Sequence, residues 1–95
     1  MASVDLGAAP SSPGAVSVLY FAALRDLAGT GEERVNLPSL PTSVEGLLRV
    51  LEGRHGALAG RLTSVRVAVN EEFAEKSREL RGGEVVALIP PVSGG

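Results

Sequence analysis

The sequence predicts an α+β domain in which one main helix covers one face of a mixed sheet of about five strands. The 95 residues are 44% hydrophobic and 21% charged, as is typical of a single small globular domain. Several apolar runs have the two-residue period of strands, and one segment has the helical period. Because one helix can cover only one face of a sheet, the other face is expected to be open.

The N-terminal half begins with residues 1–15, where Ala, Ser, Pro and Gly dominate. This composition buries little surface, so it predicts a flexible extension. Residues 16–21 are β-branched and aromatic and predict the first strand. Residues 22–28 could form one short helical turn. The polar and apolar alternation of residues 33–37 predicts a second strand, hairpinned to the first.

The main helix is predicted to begin near Val44, because Thr42 to Glu45 has the pattern of a capping box. Apolar residues follow at helical spacing, and they are Val44, Leu47, Leu48 and Leu51. His55 and Gly56 predict the end of the helix, with a cation-capable side chain in the last turn and a glycine in the left-handed position after it. His55 is therefore expected to be an ordinary surface residue.

The C-terminal half predicts a strand over residues 65–69, a short strand around Phe73 and a last strand over residues 85–89. The order of strand, strand, helix, strand, short strand, strand is the β-grasp, or ubiquitin-like, pattern. The domain is thus expected to span residues 16–89, with an extended tail over residues 90–95.

Alternation along the strands predicts which side chains lie on the open face. If Val67, Val69, Val86 and Leu88 point toward the helix, then Arg66, Ala68, Ala87 and Ile89 point away from it. Leu19 and Phe21 join the outward set if Val18 and Tyr20 point inward. Leu19, Phe21 and Ile89 would then form an apolar patch beside the tail, and such patches often mark protein interfaces.

Composition argues against several classes of function. The net charge is −2 and the basic residues are scattered singly, so nucleic acid is not an expected partner. The chain has no cysteine and one histidine, which leaves no thiolate or histidine cluster for a metal. No apolar stretch approaches the roughly 20 residues of a membrane span, and the start lacks the features of a signal peptide. We therefore expect a cytosolic protein that does not bind membranes.

Candidate residues for catalysis or nucleotide binding are few. The glycine spacing fits neither a dinucleotide-binding fingerprint nor a phosphate-binding loop. Glu71, Glu72 and Glu75 lie in a polar turn and are expected to be a solvated surface. Arg25 and Asp26 could form a recognition pair or hold a local turn, and the sequence favours neither.

The terminal carboxylate is the remaining candidate for chemistry. Pro90 and Pro91 favour an extended path, and Gly94 and Gly95 have no Cβ, so the tail could enter a channel too narrow for other side chains. A carboxylate is a poor acyl donor until ATP converts it to an acyl adenylate. A sulfur nucleophile would then form a thiocarboxylate, whereas an amine would form an isopeptide. The alternative is an ordinary frayed terminus.

Five segments of the chain resemble the small subunit of molybdopterin synthase, a branch of the ubiquitin-like sulfur carriers. They are residues 18–22, 24–25, 68–70, 84–85 and the ending Pro90-Pro91-Val92-Ser93-Gly94-Gly95. The resemblance covers residues 16–95. A terminal Gly-Gly alone is a weak signal, whereas the double proline ending is highly characteristic of this branch.

The resemblance implies a mechanism and partners. An adenylyltransferase and sulfurtransferase activating enzyme would use ATP to adenylate Gly95 and convert it to the thiocarboxylate. The tail would then enter the large subunit of the synthase and donate sulfur to cyclic pyranopterin monophosphate, forming the dithiolene of molybdopterin. The implied assembly is a heterotetramer of two small and two large subunits. The chain would bind no cofactor itself and would not be catalytic alone.

The resemblance also implies roles for individual residues. Gly95 would be the modified residue, Gly94 a steric requirement, and Pro90, Pro91, Val92 and Ser93 the rest of the recognised tail. Phe21 and Ile89 would belong to the docking face. Leu19, from the apolar patch, and Arg25, from the possible recognition pair, complete the predicted partner-binding residues. The chain departs from the family pattern at Ile89, where some relatives have an aromatic residue, at Arg66, which replaces an apolar residue, and at Gly83, which often is Asp.

Three other functions remain open. The chain could be a sulfur carrier for thiazole or cysteine biosynthesis, although the double proline and Tyr20-Phe21-Ala22 argue against that. It could be a ubiquitin-like protein modifier that forms isopeptides through Gly95. It could also be a plain interaction domain whose tail has no chemistry.

Overall fold

The computed structural model describes residues 14–91, in which a five-stranded mixed sheet packs against one main helix. This confirms the predicted α+β class. Of the predicted extension over residues 1–15, residues 1–13 lie outside the described residues, as do the tail residues 92–95. Ala15 is buried and begins the first strand, so the prediction that the extension reaches residue 15 is wrong at its last residue. The elements are β1 (Ala15–Tyr20), α1 (Ala23–Ala28), β2 (Glu32–Asn36), β3 (Thr42–Ser43), α2 (Val44–Arg54), a 3-10 turn (Gly56–Leu58), β4 (Arg66–Val69), β5 (Glu72–Ala74), β6 (Glu79–Leu80) and β7 (Val85–Ile89).

The strands of the large sheet lie in the order β2-β1-β7-β4-β5. The central pair, β1 and β7, is parallel, and Tyr20 is the register partner of Leu88. The other pairs in this sheet are antiparallel. Because parallel strands end at the same edge of a sheet, the segment after β1 and the segment after β7 leave the sheet side by side.

The core lies between α2 and one face of the sheet. Every second residue of β1, β4 and β7 is buried there, and so is the apolar stripe predicted for the helix. Leu47 and Leu51 of α2 are fully buried. Burial of one such leucine contributes about 1.5–3 kcal/mol, so this stripe holds α2 on the sheet.

α2 begins at Val44 as predicted, but the residues that cap its two ends differ from the prediction. A capping box over Thr42 to Glu45 would make Thr42 the N-cap. The N-cap is instead Ser43, whose hydroxyl oxygen accepts a hydrogen bond from the Gly46 N–H at 3.1 Å. Thr42 belongs to β3 instead. At the other end, His55 is the extended C-cap residue and Gly56 begins the 3-10 turn, so the prediction that Gly56 adopts the left-handed conformation is wrong.

A small second sheet, formed by β3 and β6, was not predicted. Thr42 pairs with Leu80 and Ser43 with Glu79. The segment just before β6 also caps the start of α2. The carbonyl oxygens of Lys76 and Arg78 accept hydrogen bonds from the first two N–H groups of α2, each at 2.9 Å. Strands of two residues are too short to show a period in sequence, so only the folded chain reveals them.

The turn before β7 depends on two glycines. Gly82 and Gly83 have φ of 111° and 90°, which residues with a Cβ rarely adopt. The Glu84 carboxylate accepts hydrogen bonds from the N–H groups of Arg81 and Gly82, each at 2.8 Å. Burial raises the pKa of Glu84, but these donors outweigh it and hold that pKa below its usual value. Because Gly83 has a positive φ, an Asp at position 83 would strain this turn.

Candidate functional site

The base of the tail lies at the edge of the sheet where β1 and β7 end. Ile89 and Pro90 are half-buried and Pro91 is exposed. The N–H of Phe21, the residue after β1, donates a hydrogen bond to the carbonyl oxygen of Leu88 at 3.2 Å. Phe21 therefore lies beside the last residues of β7, immediately next to the start of the tail.

The sheet face that α2 does not cover is apolar near this edge. Alternation holds as predicted: Val67, Val69, Val86 and Leu88 are buried, while the outward residues of β4 and β7 are exposed or half-buried. Phe21 is 46% exposed, whereas Leu19 and Ile89 are half-buried. We define the open face as the outward side chains Leu19, Phe21, Arg66, Ala68, Phe73, Ala87 and Ile89.

The register of four strands extends the open face farther than predicted. Leu19 pairs with Ala87, Ala87 with Ala68, and Ala68 with Phe73, so one row of apolar side chains runs from β1 to β5. Phe73 is 67% exposed. Sequence reasoning assigned Phe73 to a short strand without giving it a functional role. Its place in this row depends on the β4–β5 register, which the short strand did not reveal.

Arg66 is the charged member of the open face. It pairs with Ile89 across the β4–β7 ladder, and its guanidinium carbon lies 5.3 Å from the ring centroid of Phe73. Directly opposite residues of an antiparallel pair project from the same side of a sheet. Arg66 therefore lies beside the residue that immediately precedes the tail.

Arg25 lies on α1 rather than on a strand. A Cβ built on Gly31 would come within 3.1 Å of the Arg25 Cδ, so the Arg25 side chain lies over this glycine. The Gly31 carbonyl accepts a hydrogen bond from the Tyr20 N–H at 2.9 Å. Arg25 and Asp26 make no ion pair with each other. Arg25 thus has a local contact at this turn, and its role in partner recognition stays a prediction.

A polar cluster lies on the covered side of the sheet, and His55 belongs to it. One carboxylate oxygen of Glu33 accepts a hydrogen bond from the Tyr20 hydroxyl at 2.6 Å and lies 2.7 Å from the His55 Nε2. The other oxygen accepts from the Arg54 Nε at 3.3 Å. The expectation that His55 is an ordinary surface residue is wrong, because its side chain is only 21% exposed and joins α2 to the β1–β2 hairpin.

The cluster shifts the acidity of two groups. Burial and the hydrogen bond to Glu33 raise the pKa of the Tyr20 hydroxyl. Burial also raises the pKa of Glu33, but the hydrogen bonds from Tyr20 and His55 and the nearby charges outweigh it, so that pKa lies below its usual value. A carboxylate held ionised in this way is a structural anchor, and it lies on the side of the sheet opposite the open face.

Replacing Glu33 by Gln is expected to lower the free energy of unfolding by about 1–3 kcal/mol at pH 7, because three polar groups lose a charged acceptor. The pKa of Glu33 is lower in the folded chain than in the unfolded chain. The stability that Glu33 contributes is therefore fully present at pH values above its unfolded-state pKa. It is lost as the pH falls through its folded-state pKa. Urea denaturation at pH 7 and in steps down to about pH 3 should show that the free energies of unfolding of Glu33→Gln and of the unaltered chain converge.

The matched control is Glu45→Gln, which removes an exposed carboxylate that pairs with Arg49 on the surface of α2. Exposed pairs of this kind contribute at most about 0.5 kcal/mol. The anchoring role would be contradicted if the two variants lost equal free energy of unfolding at pH 7. It would also be contradicted if the loss in Glu33→Gln did not decrease as the pH falls.

The described part of the chain has neither a metal cluster nor a membrane-spanning helix. Residues 14–91 contain no group of three or more His, Asp or Glu side chains arranged to hold a metal ion. None of the helices in this range combines the length and the apolar character needed to cross a bilayer. Glu71, Glu72 and Glu75 are exposed, as expected for a solvated turn.

Comparison with known proteins adds sequence and fold relatives. The model of the ThiS family matches residues 18–95. The molybdopterin synthase sulfur carrier subunit of Homo sapiens is 34% identical over 83 residues, which cover 84% of this chain and 93% of that protein. The family model thus matches the described domain from residue 18 onward and continues to Gly95.

Two solved structures have the same fold. The putative molybdopterin converting factor, subunit 1, from Pyrococcus furiosus has a TM-score of 0.73 at 34% identity and covers 82% of this chain and 98% of its own. Small archaeal modifier protein 1 of Haloferax volcanii has a TM-score of 0.76 at 29% identity, and the match covers 83% of this chain and 99% of that protein. The predicted β-grasp fold is confirmed.

Proposed function

This chain belongs to the ThiS family, and from that premise we propose that it is the sulfur carrier subunit of a molybdopterin synthase. The observation that carries the proposal is the similarity to a sulfur carrier subunit over 84% of the chain, together with the ending Pro90-Pro91-Val92-Ser93-Gly94-Gly95. In this proposal, the domain presents its tail to other proteins and performs no reaction alone.

The proposed chemistry occurs at the Gly95 carboxylate. A carboxylate oxygen attacks the α-phosphorus of ATP on an activating enzyme, and pyrophosphate leaves. A hydrosulfide equivalent from a sulfurtransferase then attacks the carbonyl carbon, and AMP leaves with the former carboxylate oxygen. The resulting thiocarboxylate donates its sulfur to cyclic pyranopterin monophosphate within the large subunit. ATP is thus a substrate of the activating enzyme, and this chain supplies the acyl group.

The arrangement of the open face supports a docking role. Phe21 and Ile89 lie beside the start of the tail, so a partner that covers them also receives the residues that follow Pro91. The proposed partners are the large synthase subunit, in a heterotetramer of two small and two large subunits, and the activating enzyme, all in the cytosol. Gly94 has no Cβ to obstruct a narrow channel in either partner.

The proposal is tested by intact-mass spectrometry of the chain after incubation with ATP, the cognate activating enzyme and a sulfur donor. The expected result is a mass gain equal to the difference between a sulfur and an oxygen atom, located at Gly95 by peptide mapping. Omission of ATP should prevent the gain. An unchanged mass, with the same enzyme preparation active on a known carrier, would refute the proposal.

A second candidate function, protein modification, is favoured by the similarity to small archaeal modifier protein 1. In that case an amine rather than a sulfur donor attacks the adenylate, and an isopeptide bond forms as AMP leaves. The same experiment, repeated with a lysate that supplies acceptor proteins, separates the two. Conjugates linked through Gly95 would support modification, whereas thiocarboxylate without conjugates would support the carrier.

A further inference from the structure

Arg66 lies in one row with the two residues that border the tail. It is the register partner of Ile89, and Phe21 follows Tyr20, whose own partner is Leu88. Paired residues on one sheet face have Cβ atoms about 5 Å apart. A protein surface that covers Phe21 and Ile89 therefore reaches Arg66 as well, and removes at least part of its guanidinium from water.

No carboxylate among residues 14–91 lies within ion-pair distance of the Arg66 guanidinium. Within residues 14–91, Arg66 makes no ion pair, and its contact is with the Phe73 ring. Glu32, the acidic residue opposite Leu19, lies three strands away, which is about 14 Å at the usual strand spacing. Glu75 directly follows Ala74, the register partner of Val67, and lines the same shallow hollow as Arg66, but the two side chains form no ion pair.

Covering an unpaired cation is unfavourable unless the partner supplies a counter-charge. Desolvation of a charged group costs several kcal/mol, and a well-placed carboxylate with two parallel hydrogen bonds offsets this cost. The Arg66 guanidinium carbon lies 5.3 Å from the Phe73 ring centroid, and a guanidinium that rests on an aromatic ring can still donate hydrogen bonds from its edge to a carboxylate. Preorganisation of this kind reduces the entropy lost on binding.

We propose that Arg66, supported by Phe73, pairs with a carboxylate of the large synthase subunit at the mouth of the channel that receives the tail. This inference rests on the proposed function and deepens it, because it specifies the chemistry of the partner surface. Phe21 and Ile89 supply apolar contact, and Arg66 selects a partner that carries an acidic residue at this place.

The experiment measures binding of the full chain to the purified cognate large subunit by calorimetry at several sodium chloride concentrations. Arg66→Gln is expected to weaken binding about tenfold or more, because it leaves the partner's carboxylate covered and unpaired. Arg66→Lys, which keeps the charge but loses the planar fork, should lie between this variant and the unaltered chain. Phe73→Leu should weaken binding to the large subunit by a factor of about two to five. Wild-type affinity should fall more steeply with salt than that of Arg66→Gln.

The matched control is Arg49→Gln, which removes the same charge from the exposed surface of α2, on the other side of the sheet. Equal affinity and equal salt dependence for Arg66→Gln and Arg49→Gln would overturn the inference, and so would tighter binding by Arg66→Gln. If these results occur while the unaltered chain binds the large subunit and gains sulfur, the proposed function stands. If the unaltered chain neither binds nor gains sulfur, both fail.

Discussion

Deleting Gly95 is expected to abolish formation of the thiocarboxylate while leaving the stability of the domain unchanged. In the proposed function, the acyl carbon of Gly95 must reach a fixed depth in two partners, and removal of one residue shortens the reach by about 3.3 Å. The hydrophobic core, by contrast, is built from residues between Val16 and Leu88. The loss should therefore appear in chemistry and not in folding.

Two measurements separate these effects. Mass spectrometry after incubation with ATP, activating enzyme and sulfur donor reports the thiocarboxylate, and thermal denaturation reports the fold. A chain with one glycine added after Gly95 is the matched variant, because it displaces the carboxylate by the same distance in the opposite direction. Both variants should be inactive and as stable as the unaltered chain. A parallel loss of thermal stability would mean that the tail is structural.

Replacing Phe21 by Glu is expected to weaken binding to the large subunit by a factor of about 30 or more, which is the effect of losing an interface hot spot. The Phe21 ring is 46% exposed and lies beside the base of the tail, so a partner that receives the tail covers it. A carboxylate at this position would have to lose water among apolar neighbours, which is unfavourable.

Calorimetry with the purified large subunit provides the measurement, and thermal denaturation confirms that the variant is folded. Ala57→Glu is the matched control, because it places the same charge at an exposed position of the 3-10 turn, outside the open face. Ala57→Glu should bind like the unaltered chain. Unchanged binding by Phe21→Glu would show that the open face is not the docking surface.

Local pattern predicted the elements of this fold well. The spacing of Val44, Leu47 and Leu51 identified α2, and alternation over residues 65–69 and 85–89 identified β4 and β7 with the correct inward faces. These signals succeed because burial on one side imposes the period of the element on its own sequence. The predictions were less accurate at the ends of α2, where capping depends on single residues: Ser43 and not Thr42 caps its start.

Features that depend on contacts between distant segments were missed. The β3–β6 pair joins segments more than 30 residues apart. Glu33 forms hydrogen bonds with Tyr20 and His55, which belong to different elements. A lone histidine near a helix end is more often a surface residue, so nothing local marked His55 as half-buried. Such pairings become visible only when the strand order is known.

The linear chain thus established the order of elements, the presence of one uncovered sheet face and a tail whose proposed reactive group is the Gly95 carboxylate. The three-dimensional arrangement established what surrounds the base of that tail. Alternation assigns a residue to one side of its own strand, but it does not say which strand is the neighbour or in which register. The parallel pairing of β1 with β7 brought Phe21 to the tail, and the register of β4 placed Arg66 opposite Ile89, where the partner's chemistry is now open to test.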